Sequence, residues 1–580
     1  MNSLRKRLIL YILILASSSL LLTSTFILNE GVTAEELSDP VVDLLRARII
    51  TKGFSTQPIG GGELLCKPLT LSRFYGRRAF RLAWISGETL SPQARSFIRV
   101  IQKADSEGLK PEDYHLVGIE SLLEEMRLGT VKNHSLAPEK LMEFDLLLTD
   151  AFLTYASHLL DGRVNPETIY PDWRVYRQKE DLAEFLQYAL DSANLESALK
   201  SLLSPQAGYA SLRRVLPRYQ RIAASGGWPQ VPAGPEMRKG CRGLRVLALR
   251  ERLAASDDLR AVNWRESDLF DDALEQAVRQ FQNRHGLTVD GAVGPATLAA
   301  LNVSATERLQ QIKLNMERWH WLPQDLGQRY ILVNTANFEL EVVEDGRTVF
   351  TQRAVTGRPS RPTPVCTGYM TYLEMNPYWN VPFSIATKDI LPKLKRNPNY
   401  LNKKNIRVFK VRGAKRLEVD PAGLDWSRIT ARNFYYNLRQ DPGPSNSLGR
   451  IKFMFPNKFS VYIHDTPARG LFQRTQRGFS SGCIRIEKPI DLAEYLLRGY
   501  QEWTLEAIQA SIRRGERQVV RLPKPIKVHL LYWTAWVDND GTVQFRDDIY
   551  RRDDVLAKAL SRSTPSAPRS PRTFLELASR

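Results

Sequence analysis

The spacing of apolar positions divides the chain into a helical first half and a strand-rich second half. From about Leu37 to Ser225 the period is helical. Asp145 to Leu160 carries apolar residues around much of its circumference, which predicts a buried helix rather than a surface one. Gly162 follows where a C-cap belongs. Ala104–Tyr114 reads as a helix end and a turn around Gly108 and Pro111. Turn formers then cluster at Gly226-Gly227-Trp228-Pro229 and Pro232-Ala233-Gly234-Pro235, marking a domain boundary. Beyond it, Leu244, Leu247, Leu249 and Leu253 predict one helix. Asp271–Arg284, with Leu274, Val278 and Phe281 on one face, predicts a second, and Pro295 suits the first turn of a third. Ala305–Trp321 predicts an amphipathic helix that serves as a linker.

Past Trp321 the period shortens to two. Tyr330–Asn334, Phe338–Val343 and Thr348–Thr351 alternate as strands, with Asp345-Gly346 as a hairpin signal between the last two. Phe459, Val461 and Ile463 alternate with Ser460, Tyr462 and His464, so His464 and Tyr462 share the face opposite the apolar row. A loop rich in Arg and Gly leads to Phe479-Ser480-Ser481-Gly482-Cys483. Ile484 and Ile486 then alternate with Cys483 and Arg485, and Lys488-Pro489 opens a helix. Between Met375 and Met454 lies a long insertion, the kind of segment that forms a lid or a substrate-binding loop. Lys527–Val537 predicts a strand, followed by a turn at Asn539-Asp540-Gly541 and another strand through Val543 and Phe545. From Ser561 the chain is rich in Ser, Pro and Arg, which predicts disorder.

At 580 residues the chain is too long for one core and should form three or four domains. With 43% hydrophobic and 25% charged residues it is not globally disordered. Arg5, Lys6 and Arg7 precede an uncharged stretch from Leu8 to Leu28, followed by Val32-Thr33-Ala34. That pattern fits a membrane anchor and a removed signal peptide equally, and either one exports the remainder. The formal charge of +19 asks for an anionic partner surface. No nucleic-acid fold signature accompanies it, so export makes the cell envelope the better candidate. Cys66, Cys241, Cys366 and Cys483 form no C-x-x-C pair and no metal-ligand spacing with the seven histidines. One disulfide among the first three cysteines is open to an exported protein, whereas Cys483 has to stay reduced. His115, His134 and His158 read as structural or surface residues.

The candidate chemistry is that of a thiol. A free cysteine is only a few per cent thiolate at neutral pH unless an imidazole or backbone N–H groups stabilise the anion. His464 lies on the strand before the loop and Cys483 beyond it, a spacing that lets the loop fold back beside its own strand. Gly482 removes a side chain next to the sulfur and lets backbone N–H groups face a substrate carbonyl. The stretch Phe459–Lys488 resembles the signature of the L,D-transpeptidases, in which a His ending a strand precedes a Ser-His-Gly-Cys turn. That resemblance implies His464 as general base and Cys483 as nucleophile. It implies Gly482 as the oxyanion turn, and a backbone carbonyl rather than the Asp465 carboxylate as the group orienting the imidazole. Ser481 stands where the commonest motif has a second His, and is a candidate oxyanion donor. Tyr462, Arg485 and Trp379 are candidate substrate contacts, Arg485 because its charge can meet a stem-peptide carboxylate.

Phe281–Leu298, with Gly286, Gly291 and Gly294 at its turns, resembles the three-helix peptidoglycan-binding domain. Val355-Thr356-Gly357-Arg358-Pro359 and Thr363-Pro364 resemble early strands of an L,D-transpeptidase catalytic domain. The expected fold is therefore multidomain α+β, resembling the long branch of that family. Its parts are a leader (1–34), a helical scaffold (35–235), a peptidoglycan-binding domain (236–303), a helical linker (304–328), a mostly-β catalytic domain (329–505, insertion about 376–450) and a C-terminal extension (506–580). The implied reaction joins peptidoglycan stem peptides by 3–3 cross-links through a thioester, an acyl transfer that calls for no metal or organic cofactor. The alternatives are a carboxypeptidase or endopeptidase using the same pair, and a non-catalytic wall-binding scaffold. Implied partners are stem peptides, glycan and wall-synthesis proteins, with inner-membrane contact through residues 8–28 and a periplasmic location.

Overall fold

The computed structural model describes residues 39–50, 65–86, 89–131, 137–174, 180–192, 194–260, 267–412 and 415–562. The expected leader, His134 and the Ser/Pro/Arg-rich tail beyond 562 lie outside these residues. Among the described residues no helix is long and apolar enough to cross a membrane.

The first half is helical, as the apolar period predicts. Its axis is the helix Pro138–Asp161, whose Phe144, Leu146, Leu147, Leu148, Ala151 and Phe152 are all buried. Two carboxylates are buried with them, which requires compensating hydrogen bonds. Asp145 accepts from the Tyr75 hydroxyl (2.6 Å) and the Trp84 N–H (2.8 Å); burial still pushes its pKa up to about 6. Asp150 accepts from the N–H groups of Cys66 and Lys67 and faces His115 Nε2 at 2.9 Å. His115 and His158 are thus structural, the latter 3.0 Å from the Tyr114 hydroxyl.

Three helices follow: Leu244–Ala255, Asp272–Arg284 and Pro295–Leu301. Asp271 caps the second by accepting from Leu274 N–H at 2.9 Å. The buried face of the first is Val246, Leu249 and Leu253. Leu244, expected on it, begins the helix and is 83% exposed.

The helix Ala305–His320, opened by a Ser304/Glu307 capping box, corrects the expectation of a linker. It is buried on several sides, between the scaffold helix Ala207–Ala224 and the C-terminal helix Arg552–Arg562. The sequence pattern looks amphipathic because its polar residues are buried in pairs. Arg318, 1% exposed, forms an ion pair with Asp553 at 2.6 Å, and Asn315 bonds the Thr534 hydroxyl at 2.9 Å.

One large sheet forms the rest. From one side its strands run Ile451–Met454, Ile463–His464, Ile484–Ile486, Arg347–Gly357, Glu339–Glu344, Arg329–Asn334, Gln518–Leu531 and Val365–Met375. Val365–Met375 also pairs with Ile451–Met454, so these strands close into a ring. Asp345 and Gly346 both have positive φ, as the tight hairpin requires. The scaffold adds a short strand, Trp173–Arg174, to Val365–Cys366. Residues beyond 505 were expected to be an extension, but Gln518–Leu531 sits between two strands of this sheet and completes it. All four cysteines are free, so no disulfide joins Cys66, Cys241 and Cys366; Cys366 is buried and its thiol is pushed up to about 12 by that burial.

The insertion is a small unit of its own. Trp379–Asn380, Tyr436–Gln440, Ile406–Arg412 and Lys415–Val419 make a four-stranded sheet over a core that includes Ile390, Leu394, Leu401, Val408 and Trp426. Asn376 and Asn446 pin its two ends: Asn376 Nδ2 donates to Ser511 O and Asn446 Nδ2 to Pro377 O, both at 3.0 Å.

Candidate active site

The strand carrying His464 is shorter than the alternation predicts, covering Ile463–His464 alone. Asn457 explains the difference. Its side chain accepts from the N–H groups of Phe459 and Val461 and donates to Val461 O, so these backbone groups bond a side chain instead of a neighbouring strand. The loop does fold back as expected. Ile463–His464 pairs in parallel with Ile484–Arg485, and both isoleucines enter the core. Alternation then gives Tyr462, His464, Cys483 and Arg485 the opposite face.

His464 is buried, and its Nδ1 donates to Asp465 O at 2.5 Å. The Asp465 carboxylate turns elsewhere, accepting from Arg450 N–H (2.8 Å) and Arg469 Nη1 (3.2 Å). A backbone carbonyl therefore fixes the ring and assigns the proton to Nδ1, leaving the lone pair on Nε2. Burial, then the positive charges of Arg485 and Lys452, lower the His464 pKa to about 3. The imidazole is neutral at physiological pH.

Cys483 is half-buried. Burial raises its pKa, and the Tyr462 backbone N–H, the Lys452 ammonium, the Tyr462 hydroxyl and the Arg485 guanidinium oppose that rise. Lys452 stands opposite His464 in the neighbouring strand, with its ammonium 4.4 Å from the centre of the Tyr462 ring. Tyr462 links the expected contacts: its hydroxyl faces the Cys483 sulfur and the Trp379 side chain of the insertion. Trp379 is also half-buried against the insertion's own core, so its contact and packing roles coincide. Arg485 is substantially buried, its Nε has no hydrogen-bond partner among the described residues, and burial lowers its pKa.

The turn before the thiol is held by residues that the motif does not name. Gly482 has φ +114°, a conformation that side chains rarely adopt. Ser480 Oγ donates to Cys483 O (2.5 Å) and accepts from Gly482 N–H (3.1 Å). The Gly482 N–H, expected to face an oxyanion, is thus used inside the turn. Thr363 Oγ1 donates to Gly482 O (2.9 Å). Ser481, the candidate oxyanion donor, accepts from Arg361 Nη1 at 3.0 Å, a bond that leaves its own O–H to donate. Ser480 and Thr363 were both in view in the sequence, but spacing gives no sign that their hydroxyls close this turn. Cys66, His115 and Asp150 are the described grouping with metal-ligand chemistry, their ligand atoms within 4.8 Å of one another. They belong to the scaffold, where Asp150 is already occupied by hydrogen bonds.

Comparison with known proteins agrees with this architecture. Residues 69–216 match a scaffold domain, 242–301 a "Putative peptidoglycan binding domain", and 328–506 the L,D-transpeptidase catalytic domain. A Haemophilus influenzae protein named "Putative L,D-transpeptidase" is 37% identical over 246 residues, covering 42% of this chain. The chain spans about half the length of that relative (48%). Among solved structures, L,D-transpeptidases of Xylanimonas cellulosilytica and Stackebrandtia nassauensis are 16% and 12% identical. Each match covers 52% of this chain and 99% or 96% of the other, with TM-scores of 0.17 and 0.20. The chain thus carries an L,D-transpeptidase catalytic domain, preceded by a scaffold domain and a peptidoglycan-binding domain.

Proposed function

We propose that the protein is a cysteine-dependent L,D-transpeptidase that forms 3–3 cross-links between peptidoglycan stem peptides. The observation that carries this reading is the pairing of Ile463–His464 with Ile484–Arg485. It sets a carbonyl-oriented imidazole and a half-buried thiol on one face of adjacent strands.

In this reading the Cys483 sulfur attacks the amide carbonyl before the terminal D-Ala of a tetrapeptide stem. The thiol proton passes to His464 Nε2, and the new C–S bond gives a tetrahedral oxyanion. Backbone N–H groups of the turn, with Gly482 N–H excluded, receive that charge. The C–N bond then breaks, His464 returns the proton to the departing amine, and a thioester remains. The side-chain amine of a diaminopimelate on a second stem attacks the thioester, forms the cross-link and releases the thiol. Lys452 and Arg485 favour the transient thiolate, and Tyr462, Trp379 and Arg485 are the substrate contacts. The domain at 242–301 would hold the enzyme on glycan or peptide of the wall. A substrate of this kind places the protein outside the cytoplasm, periplasmic if residues 1–34 export or anchor it.

Defined muropeptides incubated with the full chain and analysed by mass test this directly. Cross-linked dimers that vanish in Cys483→Ala support the reading. Trimmed monomers alone would mean that water resolves the thioester, and neither product from a folded protein would remove the enzyme assignment.

A further inference from the structure

The turn after the strand Arg347–Gly357 is fastened to the nucleophile turn. Arg358 N–H donates to Ser480 O (3.0 Å), Thr363 Oγ1 to Gly482 O (2.9 Å) and Arg361 Nη1 to Ser481 Oγ (3.0 Å). Arg361 N–H also closes onto Arg358 O at 2.8 Å. The Arg361 guanidinium is thereby held beside Ser481, two positions before Cys483, and the Arg358 guanidinium shares a counter-ion with it. Like charges at this separation need an anion between them.

That anion comes from the insertion. Asp389, on the helical stretch Ala386–Ile390, accepts Arg361 Nη1 on Oδ2, and accepts Arg361 Nη2 (3.4 Å) and Arg358 Nη2 (3.1 Å) on Oδ1. Burial alone would raise the Asp389 pKa, but hydrogen bonds and charge from both arginines overcome it and hold the carboxylate below its usual range. Paired guanidinium forks around one carboxylate are the geometry of carboxylate recognition. Here the ligand is part of a unit with its own small core, separate from that of the main sheet.

We propose that Arg358 and Arg361 are a receptor for a carboxylate of the stem peptide near its scissile amide, filled by Asp389 while the insertion is closed. The proposal rests on the acyl-transfer reading above. When substrate enters, its carboxylate replaces that of Asp389, so loading the site and lifting the insertion are one exchange. Ser481, bonded to Arg361, couples this exchange to the turn that carries the thiol.

The test reads binding without turnover. The full chain carrying Cys483→Ala is titrated calorimetrically with a tetrapeptide stem and with analogues in which one carboxylate at a time is a carboxamide. One carboxamide should bind about 10- to 100-fold more weakly, the range of a lost charge-assisted hydrogen bond. Adding Arg361→Gln should erase that preference, and adding Asp389→Asn should tighten binding of the carboxylate form by removing its competitor. Any opening of the insertion by Arg361→Gln acts on both peptides alike and cancels in their ratio. Arg358→Gln is a second variant should Arg361→Gln melt early. An unchanged carboxylate-to-carboxamide ratio in a folded arginine variant overturns the receptor, as does absence of peptide binding. Failure of the function is read separately: a shifted ratio with no product from the chain with Cys483 intact upholds the receptor and refutes the transpeptidase.

Discussion

An ordinary histidine, with a pKa near 6.5, would keep only about 3% of its imidazole basic at pH 5. A reaction needing that base would slow roughly 30-fold between pH 7.5 and pH 5. His464 is different because it is buried and shares its face with two cations, which lower its pKa to about 3. At pH 5 about 99% of it should remain neutral, so acylation should slow by less than about twofold over that range. The assay is the second-order rate of Cys483 acylation by a carbapenem, followed by intact mass on the full chain from pH 4.5 to 8. Arg485→Gln sharpens it. The guanidinium is the second cause of the depression after burial, so removing it should move the acidic limb upward while burial keeps it below 6.5. An inflection between pH 6 and 7 in the unmodified protein would refute a buried, neutral His464 as the base.

Three further outcomes follow from the packing. A chain ended after residue 506, where the family match stops, loses the strand Gln518–Leu531 with its buried Val520, Ile526, Val528 and Leu530. It should be insoluble or molten by circular dichroism, and a cooperatively folding product would contradict the sheet order. Asp553→Ala leaves the Arg318 guanidinium buried without its ion partner and should cost about 3–5 kcal/mol, read as a large fall in Tm; an unchanged Tm would mean that the pair is not buried in solution. Gly482→Ala meets no atom closer than Pro362 O at 3.6 Å, so its cost is backbone strain of about 1–3 kcal/mol. It should also slow acylation by displacing Cys483, and wild-type stability together with wild-type rate would show that the positive φ is not required.

Much of the site was legible in local pattern. Alternation at Phe459–His464 and Cys483–Ile486 placed the imidazole and thiol on one face, because a strand allows only two faces. The distance between them implied a loop returning to its own strand, and the pairing of Ile463 with Ile484 is that return. Turn residues marked Asp345-Gly346, Gly162 and Pro295 correctly, since each answers a backbone demand that its neighbours cannot alter.

Other features were settled by contacts between residues far apart in the chain. Ala305–His320 read as a linker because Arg318 and Asn315 are polar, yet their partners Asp553 and Thr534 lie more than two hundred positions away and make burial affordable. The sheet was expected to end by 505, but the slot between Arg329–Asn334 and Val365–Met375 is filled by a strand from beyond it. Gly482 was recognised as a turn, whereas the use of its N–H depended on the Ser480 hydroxyl, and the fate of Ser481 on Arg361. Sequence alone determined which face Tyr462, His464, Cys483 and Arg485 share, because period and turn propensity are properties of neighbouring residues. Tertiary structure decided their protonation, their hydrogen-bond partners and what covers them. Those depend on desolvation and on charges brought together from distant segments, and no local pattern encodes either.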